Sequence, residues 1–245
     1  MSRVDEYRQQ LRALAREEWD ATLLQESGLP GPRGNLELAQ AVADEGDLAL
    51  FERYITYTAE KAPTNSPYEF LAFCGVVGLG RLVAEGNREL LSTLRRQATD
   101  SRWRVREAVA MALQRFGDAA MEQLLVEMRA WSEGSPLEQR AAAAALCEPR
   151  LLGRAEHARE VLQLLDHITA TVVWASNRRS EDFQALRKGL GYCWSVAVVA
   201  LPEEGKALME KWLRHPDKDV RWIMRENLKK NRLARMDAAW VKRWA

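Results

Sequence analysis

The sequence predicts an all-α protein, a right-handed α-α superhelix of about five to six helix pairs. Three observations lead there. Apolar residues recur with helical period along almost the whole chain, and no segment alternates as a half-buried strand does. Gly- and Pro-rich breaks leave helix pairs of roughly 30–45 residues, the length of a helical repeat. Finally, 47% of the 245 residues are hydrophobic, enough to bury a sizeable core.

In chain order, residues 1–27 read as an N-terminal helical cap. The opening MSRVDEYRQQLRALAREEWD has no apolar run after its charges, so no signal peptide is expected. The stretch 28-GLPGPRGN-35 reads as a linker, and residues 36–245 as the repeat array. Two helix starts are marked by the same tetrapeptide logic, Ser66-Pro67-Tyr68-Glu69 and Ser135-Pro136-Leu137-Glu138. Ser and Glu satisfy orphan N–H groups, and Pro sits where an N–H would be wasted. Gly75, Gly78 and Gly80 lie in the apolar run 71-LAFCGVVGLGRLV-83 and predict close helix packing. From 103 to 116, Val105, Val109, Ala112, Leu113 and Phe116 share one face with Ala108 at its edge, and Gly117 is expected to end that helix. No uninterrupted run of about 18 apolar residues exists, so no membrane span is expected.

The residues exclude several chemistries. His157, His167 and His215 have no metal-ligand spacing, and no phosphate-binding loop or nucleophile motif occurs. No metal, cofactor or catalytic residue is therefore assigned. Cys74, Cys147 and Cys193 are far apart with no C-x-x-C, as expected of buried thiols in a cytoplasmic protein.

Charge is distributed unevenly. The chain totals +1, but residues 217–245 hold nine Lys/Arg against four Asp/Glu, leaving the rest at −4. On a helical wheel from 217, Val220, Ile223, Met224, Asn227, Leu228 and Asn231 share a sector. Lys218, Arg221, Arg225, Lys229 and Arg232 fill the sector beside it, flanked by Trp222. Repeated cations on one rigid face suit phosphate or carboxylate contacts. Arg102 and Arg104, with Arg187 and Lys188, are further anion-binding candidates, and Trp103 and Trp222 are stacking candidates beside Arg.

The segment DSRWRVREAVAMALQRFGD resembles a HEAT repeat, whose second helix reads Asp, a spacer, Val-Arg, spaced Ala and Leu, then Gly-Asp. The match falls on Asp100, Val105-Arg106 and Gly117-Asp118. The resemblance implies that Asp100 and Arg106 are structural, tying the turn between helices. A second copy lies at Val220-Arg221, with Asp217 and Asp219 in its turn, and looser pairs extend the resemblance over residues 36–232.

A second resemblance is to the HEAT-like DNA alkylation-repair glycosylases. It rests on Phe183, Arg187, Lys188, Gly191 and Tyr192, and on Trp103 with Arg106. It implies duplex DNA held on a basic concave face. That family's mid-chain Trp-Asp-x-x-Asp motif has no counterpart here, since Trp19-Asp20 lies near the N-terminus. The expected function is a cytoplasmic, non-enzymatic scaffold binding a protein partner on its concave face. The alternative is DNA or RNA binding along a basic strip.

Overall fold

Helices start where a short polar side chain takes the first free N–H groups. In the computed structural model, which describes residues 2–245, Ser66, Ser135 and Ser180 each accept from the backbone three residues on. Ser135 and Glu138 form a reciprocal capping box. Glu69 behaves differently from the expectation: its Oε2 accepts from the N–H of Asn65 and from Arg104, not from Ser66. No strand occurs among the described residues, so the all-α reading holds.

The chain forms two compact units that meet in sequence between Ala119 and Ala120. The first contains α1 (Arg3–Ala13), α2 (Trp19–Glu26), α3 (Leu36–Glu45), α4 (Leu48–Ile55), α5 (Pro67–Ala84), α6 (Leu90–Gln97) and the first part of α7 (Trp103–Ser132). α5 is its centre, packed on α2, α3, α4 and α6. α5 is long and apolar enough to cross a membrane by composition alone, yet 72% of it is buried as a core helix. Its glycines explain the packing. A Cβ at Gly80 would lie 2.4 Å from the Ala112 Cα, and one at Gly78 would strike the Phe51 ring. The wheel face of α7 is fully buried at Val105, Val109, Ala112, Leu113 and Phe116.

One boundary expectation is corrected. α7 runs through Gly117-Asp118 and breaks at Ala120, whose φ of −155° and ψ of 69° are not helical. Gly117 is not among the positive-φ residues, so it does not take the left-handed conformation that ends a helix. The 28–35 stretch is a folded loop: Gly28 has φ +73°, the Asn35 N–H donates to the Ser27 carbonyl, and Leu29 is buried.

The second unit holds the rest of α7, then α8 (Pro136–Leu146), α9 (Ala155–Trp174), α10 (Glu181–Ala200), α11 (Pro202–Leu213), α12 (Lys218–Leu228), α13 (Asn231–Met236) and α14 (Ala238–Trp244). α10 is its centre, with α8, α9, α11 and α12 against it. Cys74, Cys147 and Cys193 are all free and buried.

Candidate interaction surfaces

The basic stripe is positioned by the packing of α12 on α10. Val220, Ile223, Met224, Asn227 and Leu228 are buried, as the wheel requires. Asn227 fixes the register. Its Nδ2 donates to the carbonyls of Leu190 and Ile223, each at 2.8 Å, and its Oδ1 accepts from the Ser195 N–H at 2.8 Å. Close approach is possible because residue 191 is Gly; a Cβ there would come within 3.3 Å of Glu226 and Trp222.

The N-terminus of α12 is tied to the loop after α9. Asp217 Oδ1 caps the helix, accepting from the N–H groups of Asp219 and Val220. Arg178 then clasps both carboxylates, at 2.7 Å from Asp217 and 3.0 Å from Asp219, and donates to the Val173 carbonyl. Burial alone would push the Asp217 carboxyl up. Arg178 and the two N–H groups outweigh that and hold it below the usual carboxylate range.

Beside this clasp lies an open groove lined by Arg187, Lys218, Asp219, Arg221, Trp222 and Arg225, with a volume of about 380 Å³. Arg187 lies 3.0 Å from Asp219 Oδ1, with its N–H pointing off the acceptor, and its guanidinium covers the Trp222 ring at 3.8 Å. Lys218, Arg221 and Arg225 are exposed and form no side-chain hydrogen bond or ion pair among the described residues. Lys188 is likewise exposed on α10.

The remaining stripe residues depart from the expectation. Lys229 is paired with Glu226. α12 ends at Leu228, so Arg232 belongs to α13, where its guanidinium donates to the Tyr192 hydroxyl and lies over that ring. Asn231 starts α13 and is exposed. Trp222 is not an open stacking platform, because Arg187 occupies its face.

In the first unit, Arg102 and Arg104 are interior, not surface, cations. Arg102 is 2% exposed; its guanidinium grips Asp100 at 2.9 and 2.7 Å and donates to the carbonyls of Tyr57 and Ala62. Arg104 is 6% exposed and bonds Glu69, Asn65 Oδ1 and the Gly31 carbonyl. Both are removed from solvent, so neither reaches an external phosphate. Arg106 donates to the carbonyls of Asp100 and Ser101, so with Asp100 it ties the turn.

The sequence reading missed a pocket of about 110 Å³ in this unit. Leu29, Pro32, Leu36, Phe70, Phe73 and Trp103 supply its apolar walls, with Arg33, Arg104 and Glu107 among the polar ones. Trp103 is 48% exposed, with Arg104 over its ring at 4.5 Å. The sequence signals for it are Trp103, read as a stacking candidate, and the apolar residues Leu29 and Pro32 of the Gly/Pro loop.

The three histidines have local partners: His157 with Glu122, His167 with Glu133, and His215 with the Asp217 N–H. Asp20, of the displaced Trp-Asp pair, accepts from Arg53 and from the Tyr54 hydroxyl, and Arg53 foremost holds it below the usual range. No curated protein matches the chain. Residues 76–147, from within α5 to the end of α8, match the family described as HEAT repeats. The paired helices and the turn-tying Asp100 and Arg106 agree with that match, which places HEAT repeats in residues 76–147.

Proposed function

We propose that this protein is a non-enzymatic, cytoplasmic HEAT-repeat scaffold that binds a protein partner. The observation that supports it is the aromatic pocket beside Trp103. A concave apolar site with an exposed Trp and Arg at its edge is the composition of an interaction hot spot. Its volume suits one apolar side chain of a partner, and the surrounding polar groups supply orientation.

The test is site-specific photo-crosslinking in the full chain. A photoreactive residue replaces Trp103, and separately Val126, an exposed position on α7 outside the pocket. The expected result is a discrete protein adduct from position 103 that a Leu36→Glu change in the pocket wall abolishes. Equal adducts from both positions, or none, overturn the reading.

A second reading, DNA or RNA binding, is favoured by the unpaired Lys218, Arg221 and Arg225. It requires salt-sensitive binding whose log–log slope flattens by about 0.9 for each phosphate contact removed.

A further inference from the structure

We propose that the groove on α12 takes an acidic peptide segment, a run of Asp or Glu side chains, from the protein partner; this rests on the scaffold reading above. The starting point is an unmatched cluster of charge. Several exposed cations elsewhere in the second unit meet carboxylates: Arg159 with Glu204, Lys211 with Asp166, Arg214 with Glu210 and Lys229 with Glu226. Lys218, Arg221 and Arg225 differ from the other exposed cations in lining one groove together. At the groove, the two carboxylates of the turn are already neutralised by Arg178 and Arg187. Among the described residues, Lys218, Arg221 and Arg225 have no paired counter-charge.

The helix accounts for only one of them, Arg225 in its last turn. Cations favour the C-terminal end of a helix dipole, and Lys218 and Arg221 sit in the first turn of α12. They are at the unfavourable end, where an external anion is welcome. Their spacing also selects the ligand. Residues 218, 221 and 225 follow one side of the helix over about 10 Å. An extended peptide rises about 3.3 Å per residue, so acidic side chains at alternate positions cover that length.

Nucleic acid fits less well. The Trp222 face is covered by Arg187, which removes a base-stacking platform. Lys229 and Arg232 are engaged within the chain, so the strip offers three free cations, against about 6–10 phosphate contacts in a strongly salt-dependent duplex complex.

The test measures fluorescence anisotropy with a labelled peptide of alternating Glu and Ser, its Gln-for-Glu counterpart, and single-stranded and duplex oligonucleotides. The full chain is compared with the Lys218→Ala/Arg221→Ala/Arg225→Ala variant and with Arg159→Ala as a charge control. All the substituted side chains are exposed, and thermal melts verify folding. The Glu peptide is expected to bind at low salt, the Gln peptide not. The triple variant should weaken binding about tenfold or more, with Arg159→Ala near wild type. No Glu-peptide binding, equal binding of the Gln peptide, indifference to the triple change, or tighter binding of an oligonucleotide each overturns the proposal. If any of these occurs while the position-103 adduct persists, the scaffold reading stands without the acidic segment. Loss of that adduct is what removes the scaffold reading.

Discussion

In the turn before Trp103, Arg106 folds back onto the carbonyls of Asp100 and Ser101, whereas Arg221, at the matching place in the Val-Arg pattern at the start of α12, is exposed with no hydrogen bond or ion pair among the described residues. The difference lies in where the clasp comes from. The first turn clasps itself, with Arg102 gripping Asp100 from two residues away. The second turn is clasped from outside, by Arg178 on the loop after α9. Once an external guanidinium holds the turn, the repeat's own arginine is released to the surface. A structural motif thereby becomes available for binding without a change in its sequence pattern.

The strongest way to break this comparison is at the self-clasped turn. Arg102→Ala leaves Asp100 without its ion pair and removes the donor to the buried Ala62 and half-buried Tyr57 carbonyls, and should destabilise the protein by about 3–5 kcal/mol. Denaturant unfolding measures it; a loss under about 1 kcal/mol would show that the clasp is dispensable. Next comes Asn227→Ala, which removes the side-chain hydrogen bonds that tie α12 to the Leu190 carbonyl and the Ser195 N–H of α10. The expected cost is about 2–3 kcal/mol, with faster amide exchange at Ser195.

These two residues also mark what the sequence reveals. The buried face of α7, from Val105 to Phe116, follows from periodicity because each position is set by its own helix. Asn227 falls in the apolar sector for the same reason, although nothing local says what it bonds. The fate of an arginine is not local at all. Arg104 and Arg221 both stand in runs of basic residues, but Arg104 is drawn inward by Gly31, Asn65 and Glu69, the first of them 73 residues away. Burial of a cation depends on which acceptors the fold delivers, and helical spacing carries no information on that. Gly117 fails for a related reason: Gly permits a helix to end without compelling it, and the break comes at Ala120.

The externally clasped turn gives a smaller, pH-dependent effect. Asp217→Ala removes a helix cap and one arm of the Arg178 clasp, for about 1–2 kcal/mol near neutral pH. The carboxyl of Asp217 is lower in the folded protein than its ordinary value of about 3.9. A depressed carboxylate contributes its full stability above the unfolded value and loses it as pH falls through the folded one. The stability difference between wild type and Asp217→Ala should therefore be constant above about pH 5 and shrink below about pH 4. A difference that grows on acidification would contradict the assignment.

The smallest effect is the most informative about the two arginines. Arg106→Ala removes donors to two turn carbonyls and should cost about 1 kcal/mol. Arg221→Ala removes no hydrogen bond or ion pair among the described residues and should fall within about 0.5 kcal/mol of wild type. Paired melts of the two variants decide whether the same motif position has split into a structural and a surface role. Equal losses would mean that Arg221 supports the fold through its stem on α12. A silent Arg221→Ala that still weakens binding of the Glu peptide separates recognition from stability at one side chain, as a residue released from the repeat's clasp should do.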